Sequence, residues 1–444
     1  MAGAVLTSRS ADTPPAVSRR YAWLVFALSF ALLLSDYMSR QVLNAVFPML
    51  KAEWLLSDGE LGTLSGVVAL MVGVLTFPLS LLADRWGRVR ILVAAAAVWS
   101  LATLGCAVAA GYGEMFAARF VVGVGEAAYG SVGIAVVLSV FPVSLRATLA
   151  GAFMAGGSFG SVLGVSVGGV VAQAHGWRWA FGVMGLYGLV LAVGYGLVVK
   201  ERKLGERPPT GPRRPPIRSQ LPHLFNSVSV VCAYVGSGLQ MFLAMALLTW
   251  MPSYLERSYG LPTSKAGLAA GAFALIGGLG MILCGAVADR LSRRAGIRNW
   301  TVAIVCSLGS LTLLTAGFLL PTGPAQLALV GLGTLLAGGT SGPAAAMVAS
   351  LTPAAIAATA LATLTLANSL IGLAPGPALT GVLADHLGLT GALRVIPLVA
   401  LLGATAFAIG RRTYEKDLRR TATTTATATT TATTSATSTL EPPP

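Results

Sequence analysis

The chain has 444 residues, 55% of them hydrophobic and only 10% charged, and a formal net charge of +14 at pH 7. A water-soluble domain carries about 25% charged residues, so this composition, with a mean hydropathy of +0.77, excludes one. The positive charge is no nucleic-acid signature either, because the bases sit in loops between apolar runs, where they orient a membrane protein.

Apolar runs of roughly 20 residues follow one another from end to end, each long enough to cross about 30 Å of hydrocarbon as a helix. Barrel strands would be about 10 residues long and would alternate apolar with polar. The runs read as six spans over 21–50, 59–83, 91–110, 115–141, 147–174 and 177–199, then six more over 227–255, 265–288, 300–320, 326–351, 353–384 and 389–410. The expected fold class is an all-α polytopic membrane protein, with about twelve transmembrane helices in two pseudosymmetric six-helix bundles.

The expected organisation is an N-terminal segment (1–20), a first bundle (21–199), a linker (200–226), a second bundle (227–412) and a low-complexity tail (413–444). The linker holds Lys200, Arg202, Lys203, Arg207, Arg213, Arg214 and Arg218 among six prolines, and cannot build a core. Beyond Thr421 nearly every residue is Thr, Ala or Ser, which predicts disorder. Loops after the second, fourth, sixth and eighth spans, with both termini, carry most of the bases. The opposite loops and adjoining helix ends carry only Lys51, Arg119, Arg178, Arg257, Lys265 and Arg394. Both termini and the linker are therefore expected in the cytoplasm. Cys106, Cys232, Cys284 and Cys306 lie singly in apolar runs, a packing pattern without metal or disulfide spacing.

One unit occurs twice. Ser80 to Arg90, with Asp84, Arg85, Gly87 and Arg88, matches Gly285 to Arg294, with Asp289, Arg290 and Arg293. Upstream, Gly62, Gly66, Ala69, Leu70 and Gly73 recur at the same offset as Gly267, Gly271, Ala274, Leu275 and Gly278. Such duplication is a mark of membrane transporters. Two acids, Asp36 and Glu126, lie inside apolar runs, where an ionisable group costs about 2.5–3.5 kcal/mol on insertion scales and is usually paired and functional. Asp36 and Arg40 share a face of the first span, which Asn44 continues, and Arg119, Gly123 and Glu126 line a face of the fourth. Gly156, Gly160, Gly164 and Gly168 form a close-packing row on the fifth span, and Gly372 to Pro377 should bend the eleventh. In the second half Tyr234, Gln240, Trp250, Thr340, Ser341 and Asn368 interrupt apolar helices; helix–helix hydrogen bonds and solute contacts both fit them.

The two Asp-Arg loops resemble the signature loop of the major facilitator superfamily, G-x-x-x-D-R-x-G-R-[KR], with Ser80 and Ser292 where glycines are expected. Arg119 to Ala127 resembles the second signature. Together with Trp177 to Phe181 and Trp250 to Leu255, it looks like the Spinster branch, part of which the anion:cation symporter branch shares. The resemblance covers about 21–412. Those branches carry an Asp-Arg pair late in the first span; here Ser39-Arg40 stands there, with Asp36 one turn earlier.

The resemblance implies that the first and fourth spans border a central cavity. Asp36, Glu126, Arg119 and Arg40 would meet there for proton coupling, and Arg40, Asn44, Tyr234, Gln240, Trp250 and Asn368 would bind solute. Asp84, Arg85, Gly87, Arg88, Asp289, Arg290 and Arg293 would form gates, Asp84 facing the start of the eleventh helix at Thr352-Pro353, read as cap and first residue, and Asp289 the start of the fifth.

The expected function is secondary active transport by alternating access, proton-coupled, of a small organic anion or lysolipid-like amphiphile across the cytoplasmic (inner) membrane. A drug or cation–proton antiporter is the alternative, against which Gly160-Ser161 counts, since antiporters of the family often have Gly-Pro there. A non-transporting membrane receptor is the other. No Walker loop is encoded, and His175, His223 and His386 converge with no nucleophile, so no enzyme is expected. Expected partners are the solute, protons and the bilayer, with no nucleic acid, no cofactor and no metal, in a monomer energised by the proton gradient.

Overall fold

The computed structural model describes residues 17–204, 224–225, 227–293, 296–353 and 356–438; among these, the side chains of 81, 84, 143, 144, 147, 358 and 421–438 lie outside the description. The helices are α1 Arg19–Trp54, α2 Asp58–Trp86, α3 Arg88–Val108, α4 Tyr112–Glu126, α5 Tyr129–Ser139, α6 Val143–His175 and α7 Trp177–Val198. They continue as α8 Val228–Tyr259, α9 Thr263–Ser292, α10 Arg298–Leu319, α11 Pro324–Gly338, α12 Ser341–Leu351, α13 Ala357–Ala367, α14 Pro375–Val395 and α15 Val399–Ser438. Eleven stretches among the described residues are long and apolar enough to cross a membrane. The last, Thr359–Arg420, has 62 residues, far more than one crossing needs. It turns at Gly388, whose φ of 71° interrupts the helix, so it supplies two spans. The protein is a multi-pass, all-helical membrane protein.

Four local features differ from the sequence reading. The fourth and tenth spans are each two helices, broken at 127–128 and 339–340; hydropathy stays high through both breaks and hides them. Thr352 does not cap the eleventh span. It ends α12, with its hydroxyl donating back to the Val348 carbonyl at 2.7 Å, and the next helix starts at Ala357. The bend expected over 372–377 begins earlier, in a π-helical stretch, Asn368–Leu373, where the Ala374 N–H donates to the Ser369 carbonyl at 3.0 Å. Pro375 and Pro377 lack N–H groups, so carbonyls one turn back lose their donors and the turn widens. Over 421–438 the tail is helical and not the disordered segment expected, since α15 runs on to Ser438; 439–444 lie outside the described residues. No Gly or Pro lies between 411 and 438 to stop it.

Two compact units divide the chain: Met1–Val46, Val74–Arg213 and Thr263–Leu268 in one, Phe47–Gly73, Arg214–Pro262 and Ala269–Pro444 in the other. In the first unit α3 packs on α7 and α4, around the fully buried Trp99, Tyr129 and Phe153. Here the glycine row of α6 seats α1. A Cβ at Gly160 would meet the Leu34 carbonyl at 2.9 Å, and one at Gly164 the Met38 Cα at 2.8 Å. Only a hydrogen on the α-carbon permits that approach. In the second unit α8 is the central helix, packed on α15, the π-helical stretch and α14. Its N-terminus is capped by Ser227 and by Asp417, which accepts from the Ser229 N–H at 3.0 Å.

The recurring glycines are also packing devices. In the second unit Gly62 and Gly66 abut the carbonyls of Pro377 and Ala374. In the first, Gly267 abuts the Val165 carbonyl, with Gly169 beside it. The duplicated pattern thus marks faces of α2 and α9 that admit a neighbouring backbone.

Candidate functional site

In the first unit the row Phe30, Leu34, Met38 and Val42 turns one face of α1 toward α6. With 3.6 residues per turn, Asp36, Ser39 and Arg40 then share another face, and this face meets α4. Arg40 Nη2 lies 2.8 Å from Glu126 Oε2 and 3.7 Å from Asp36 Oδ2. The Ser39 hydroxyl lies 3.3 Å from Glu126 Oε1 and 2.9 Å from the Asp36 carbonyl. Arg119 Nη1 and Nη2 donate to the carbonyls of Ser39 and Arg40 at 2.9 and 3.1 Å, pinning the turn of α1 that carries the site. The Tyr37 ring lies 5.1 Å from the Arg40 guanidinium carbon. Asp36, Glu126 and Arg119 are 4%, 2% and 0% exposed. These charges therefore stabilise one another rather than lean on bulk water. Asp36 Oδ1 and Arg40 Nε have no hydrogen-bond partner among the described residues.

The four residues expected to couple protons are thus one cluster. Asn44 is fully buried beyond it and donates to Gln41 at 2.6 Å. The other residues expected at a solute site lie in the second unit. Tyr234 donates to the Ala360 carbonyl at 3.3 Å and Trp250 Nε1 to the Pro377 carbonyl at 3.0 Å, so both fasten α8 to the eleventh span. Trp250 also packs on Phe47, ring centroids 5.2 Å apart. Gln240 is fully buried, yet neither amide atom has a partner among the described residues, nor has Asn368 Oδ1.

Of the residues expected to gate, the Asp84 side chain lies outside the description. Arg85 is exposed and Arg88 half-buried. Gly87 has φ 100°, a conformation open to glycine. Behind it Glu201 accepts from the backbone N–H groups of Arg88 and Val89 at 3.0 and 2.8 Å, capping α3. Asp289, Arg290 and Arg293 are exposed at the end of α9.

The sequence profile of the Major Facilitator Superfamily matches residues 29–375. The chain belongs to this superfamily. It is accordingly a transporter and not an enzyme. It is 26% identical to a probable L-galactonate transporter of Escherichia coli (strain K12), over 62% of this chain and 63% of that protein. Against an MFS-type efflux pump of Mycolicibacterium smegmatis the identity is 27%, over 90% and 95%. With human protein spinster homolog 1 it is 29%, over 54% and 46%. In fold it superposes on a bacterial homologue of the human lysosomal transporter Spinster with a TM-score of 0.81, at 20% identity, over 90% of this chain and 99% of that one.

The transporter also holds a charge cluster that the sequence reading left among loop residues. In the second unit Asp58 is bound by Lys51 at 2.6 Å and by both Nη atoms of Arg257 at 2.7 Å. Asp385 accepts from the N–H groups of Asp58 and Gly59 at 2.7 and 2.8 Å. Ser57 and Glu60 complete a capping box, the Ser57 N–H donating to Glu60 and the Glu60 N–H to Ser57 Oγ at 2.9 and 3.1 Å. The run Ser57-x-x-Glu60 was the available signal; nothing local pointed to Asp385.

Proposed function

We propose that the protein is a proton-coupled secondary transporter of a small organic anion or lysolipid-like amphiphile, working by alternating access across the cytoplasmic membrane. The observation that carries this reading is one guanidinium, Arg40, within reach of two buried carboxylates, Glu126 at 2.8 Å and Asp36 at 3.7 Å. A solute anion that engages Arg40 competes with them. A carboxylate deprived of its cation in apolar surroundings neutralises by taking a proton, which ties solute arrival to protonation. Arg119 holds the backbone of α1 in place meanwhile, and a guanidinium itself does not give up its proton. The names galactonate, gallate and hexuronate among the relatives are all carboxylates and favour the anion; the amphiphile rests on the sequence resemblance to the Spinster branch.

In this reading Gln240 and Asn368 of the second unit offer uncharged groups to the solute, and the two Asp-Arg loops are cytoplasmic gates. The distribution of bases supports cytoplasmic termini. The test is uptake by the purified protein in liposomes with an imposed proton gradient. Glu126→Gln should abolish gradient-driven uptake while leaving counterflow exchange. An unchanged pH dependence in that variant would overturn the coupling. The second reading, proton-coupled efflux, is favoured by the Mycolicibacterium pump, which matches along 95% of its length. Gradient-driven extrusion of a cationic drug that Glu126→Gln stops would select it.

A further inference from the structure

The second unit contains a cavity of about 650 Å³ that neither the charge cluster nor the solute residues use. Its walls are α9, α10, α11 and α15, with Leu283, Val287, Val302 and Val305 along it and Arg298 and Arg411 at one end. Val305 is 60% and Val287 47% exposed, so the groove opens sideways, onto hydrocarbon in a membrane protein. From Leu283 to Leu291 it follows α9 for about 12 Å at 1.5 Å per residue.

The end with the arginines is built for an anion in three ways. Neither guanidinium makes an ion pair or a hydrogen bond among the described residues. α10 begins there, at Arg298, with no side-chain cap on its first turn, so its positive end faces the same point. The lining contains no acid; Glu415, one turn beyond Arg411 on α15, is exposed and unpaired with it among the described residues. At the other end Cys284 and Cys306 close the groove. Their sulfurs lie together, since a Cβ on Gly339 would meet both, at 2.6 and 3.2 Å. The first unit repeats the pairing on a smaller scale: Arg85 and Arg90 stand with Trp86 at a cleft of about 430 Å³. Two cations at the mouth of an apolar slot match a phosphate joined to an acyl chain, and fit neither a free anion nor an uncharged hydrocarbon.

We infer that this groove binds an anionic glycerophospholipid from the leaflet on the Asp-Arg loop side, its phosphate between Arg298 and Arg411 and an acyl chain along α9. Basic pockets between transmembrane helices hold anionic headgroups in this way. The groove shares no lining residue with the Arg40 cluster, so the lipid is a bound component and not the cargo.

The experiment is native mass spectrometry of the full chain, freed of lipid in detergent and titrated with phosphatidylglycerol, phosphatidylethanolamine or glycerol 3-phosphate. Phosphatidylglycerol should be retained most tightly. Arg298→Ala/Arg411→Ala should weaken it by about 30-fold, the effect of two basic residues at a lipid surface. Arg412→Ala, one residue along and not in the lining, should leave it unchanged. Val305→Trp, which fills the slot at an exposed position and keeps both arginines, should weaken it as well, and carries the test if the double variant does not fold. Equal retention of phosphatidylglycerol and phosphatidylethanolamine, equal binding of glycerol 3-phosphate, or undiminished binding in Val305→Trp would overturn the inference.

Discussion

Asp385 accepts a hydrogen bond from the backbone N–H of Asp58 at 2.7 Å, across 327 positions of sequence. It thereby caps α2 from the far end of the chain, while the Asp58 side chain turns away to Arg257 and Lys51. A carboxylate at a helix N-terminus contributes about 0.5–2 kcal/mol. Asp385→Ala should therefore lower the unfolding midpoint in detergent by a few degrees. Asp385→Asn, which keeps one acceptor and loses the charge, should fall between. A midpoint unchanged in both would mean that the contact contributes nothing to stability.

Arg119 predicts a different pattern. Its two donors hold consecutive carbonyls of α1, at Ser39 and Arg40, and the side chain is fully buried. Lysine offers a single charged centre and cannot span both carbonyls with the same fork. Arg119→Lys should lose about 1.5–3 kcal/mol, the range for one hydrogen bond to a charged group. It should also loosen the turn that presents Arg40. A combined fall in thermal stability and uptake is expected; wild-type uptake in Arg119→Lys would show that the fork does not position Arg40.

The architecture was legible in the sequence because a bilayer fixes the length and apolarity of each crossing. The Asp36–Arg40–Glu126–Arg119 cluster was expected on two grounds: charges inside these runs are rare and usually paired, and the family resemblance implies that the first and fourth spans border one cavity. What escaped reading was backbone detail that hydropathy does not encode. The breaks at 127–128 and 339–340 lie within runs that stay apolar throughout, and the π-helical stretch precedes the prolines that accompany it. Thr352-Pro353 has the composition of a helix start but closes the helix before it. The Asp58–Asp385 contact escaped because its partners lie at opposite ends of the chain and each looks like an ordinary loop acid.

The α6 glycine row allows a test in which two opposing effects of one substitution can be separated. Glycine to alanine inside a helix ordinarily stabilises by about 0.8–1 kcal/mol. At Gly151, where a new Cβ meets nothing within 4 Å, that gain should appear as a raised unfolding midpoint with normal uptake. At Gly164 the Cβ would stand 2.8 Å from both Cα and carbonyl oxygen of Met38, so α1 must move. Gly164→Ala should lose stability despite its better propensity, and uptake should fall because Asp36 and Arg40 ride on the displaced helix. Equal behaviour of the two variants would mean that α6 does not seat α1.

Gly87 and Glu201 should separate a backbone requirement from a charge requirement within one loop. Gly87 has φ 100° and ψ 137°, a region that costs a residue with a side chain about 1–3 kcal/mol. A Cβ there would also stand 3.3 Å from the Glu201 carboxyl carbon. Gly87→Ala should therefore destabilise whatever occupies position 201. Glu201→Gln keeps an acceptor for the Arg88 and Val89 N–H groups but gives up the charge facing the positive end of α3, an effect of about 0.3–1 kcal/mol. Salt weakens that charge contribution by screening. The deficit of Glu201→Gln should shrink between low and 1 M ionic strength, while that of Gly87→Ala should not. Thermal melts of both variants at the two salt concentrations measure this, and a Gly87→Ala deficit that disappears with salt would place its origin in electrostatics instead of the backbone.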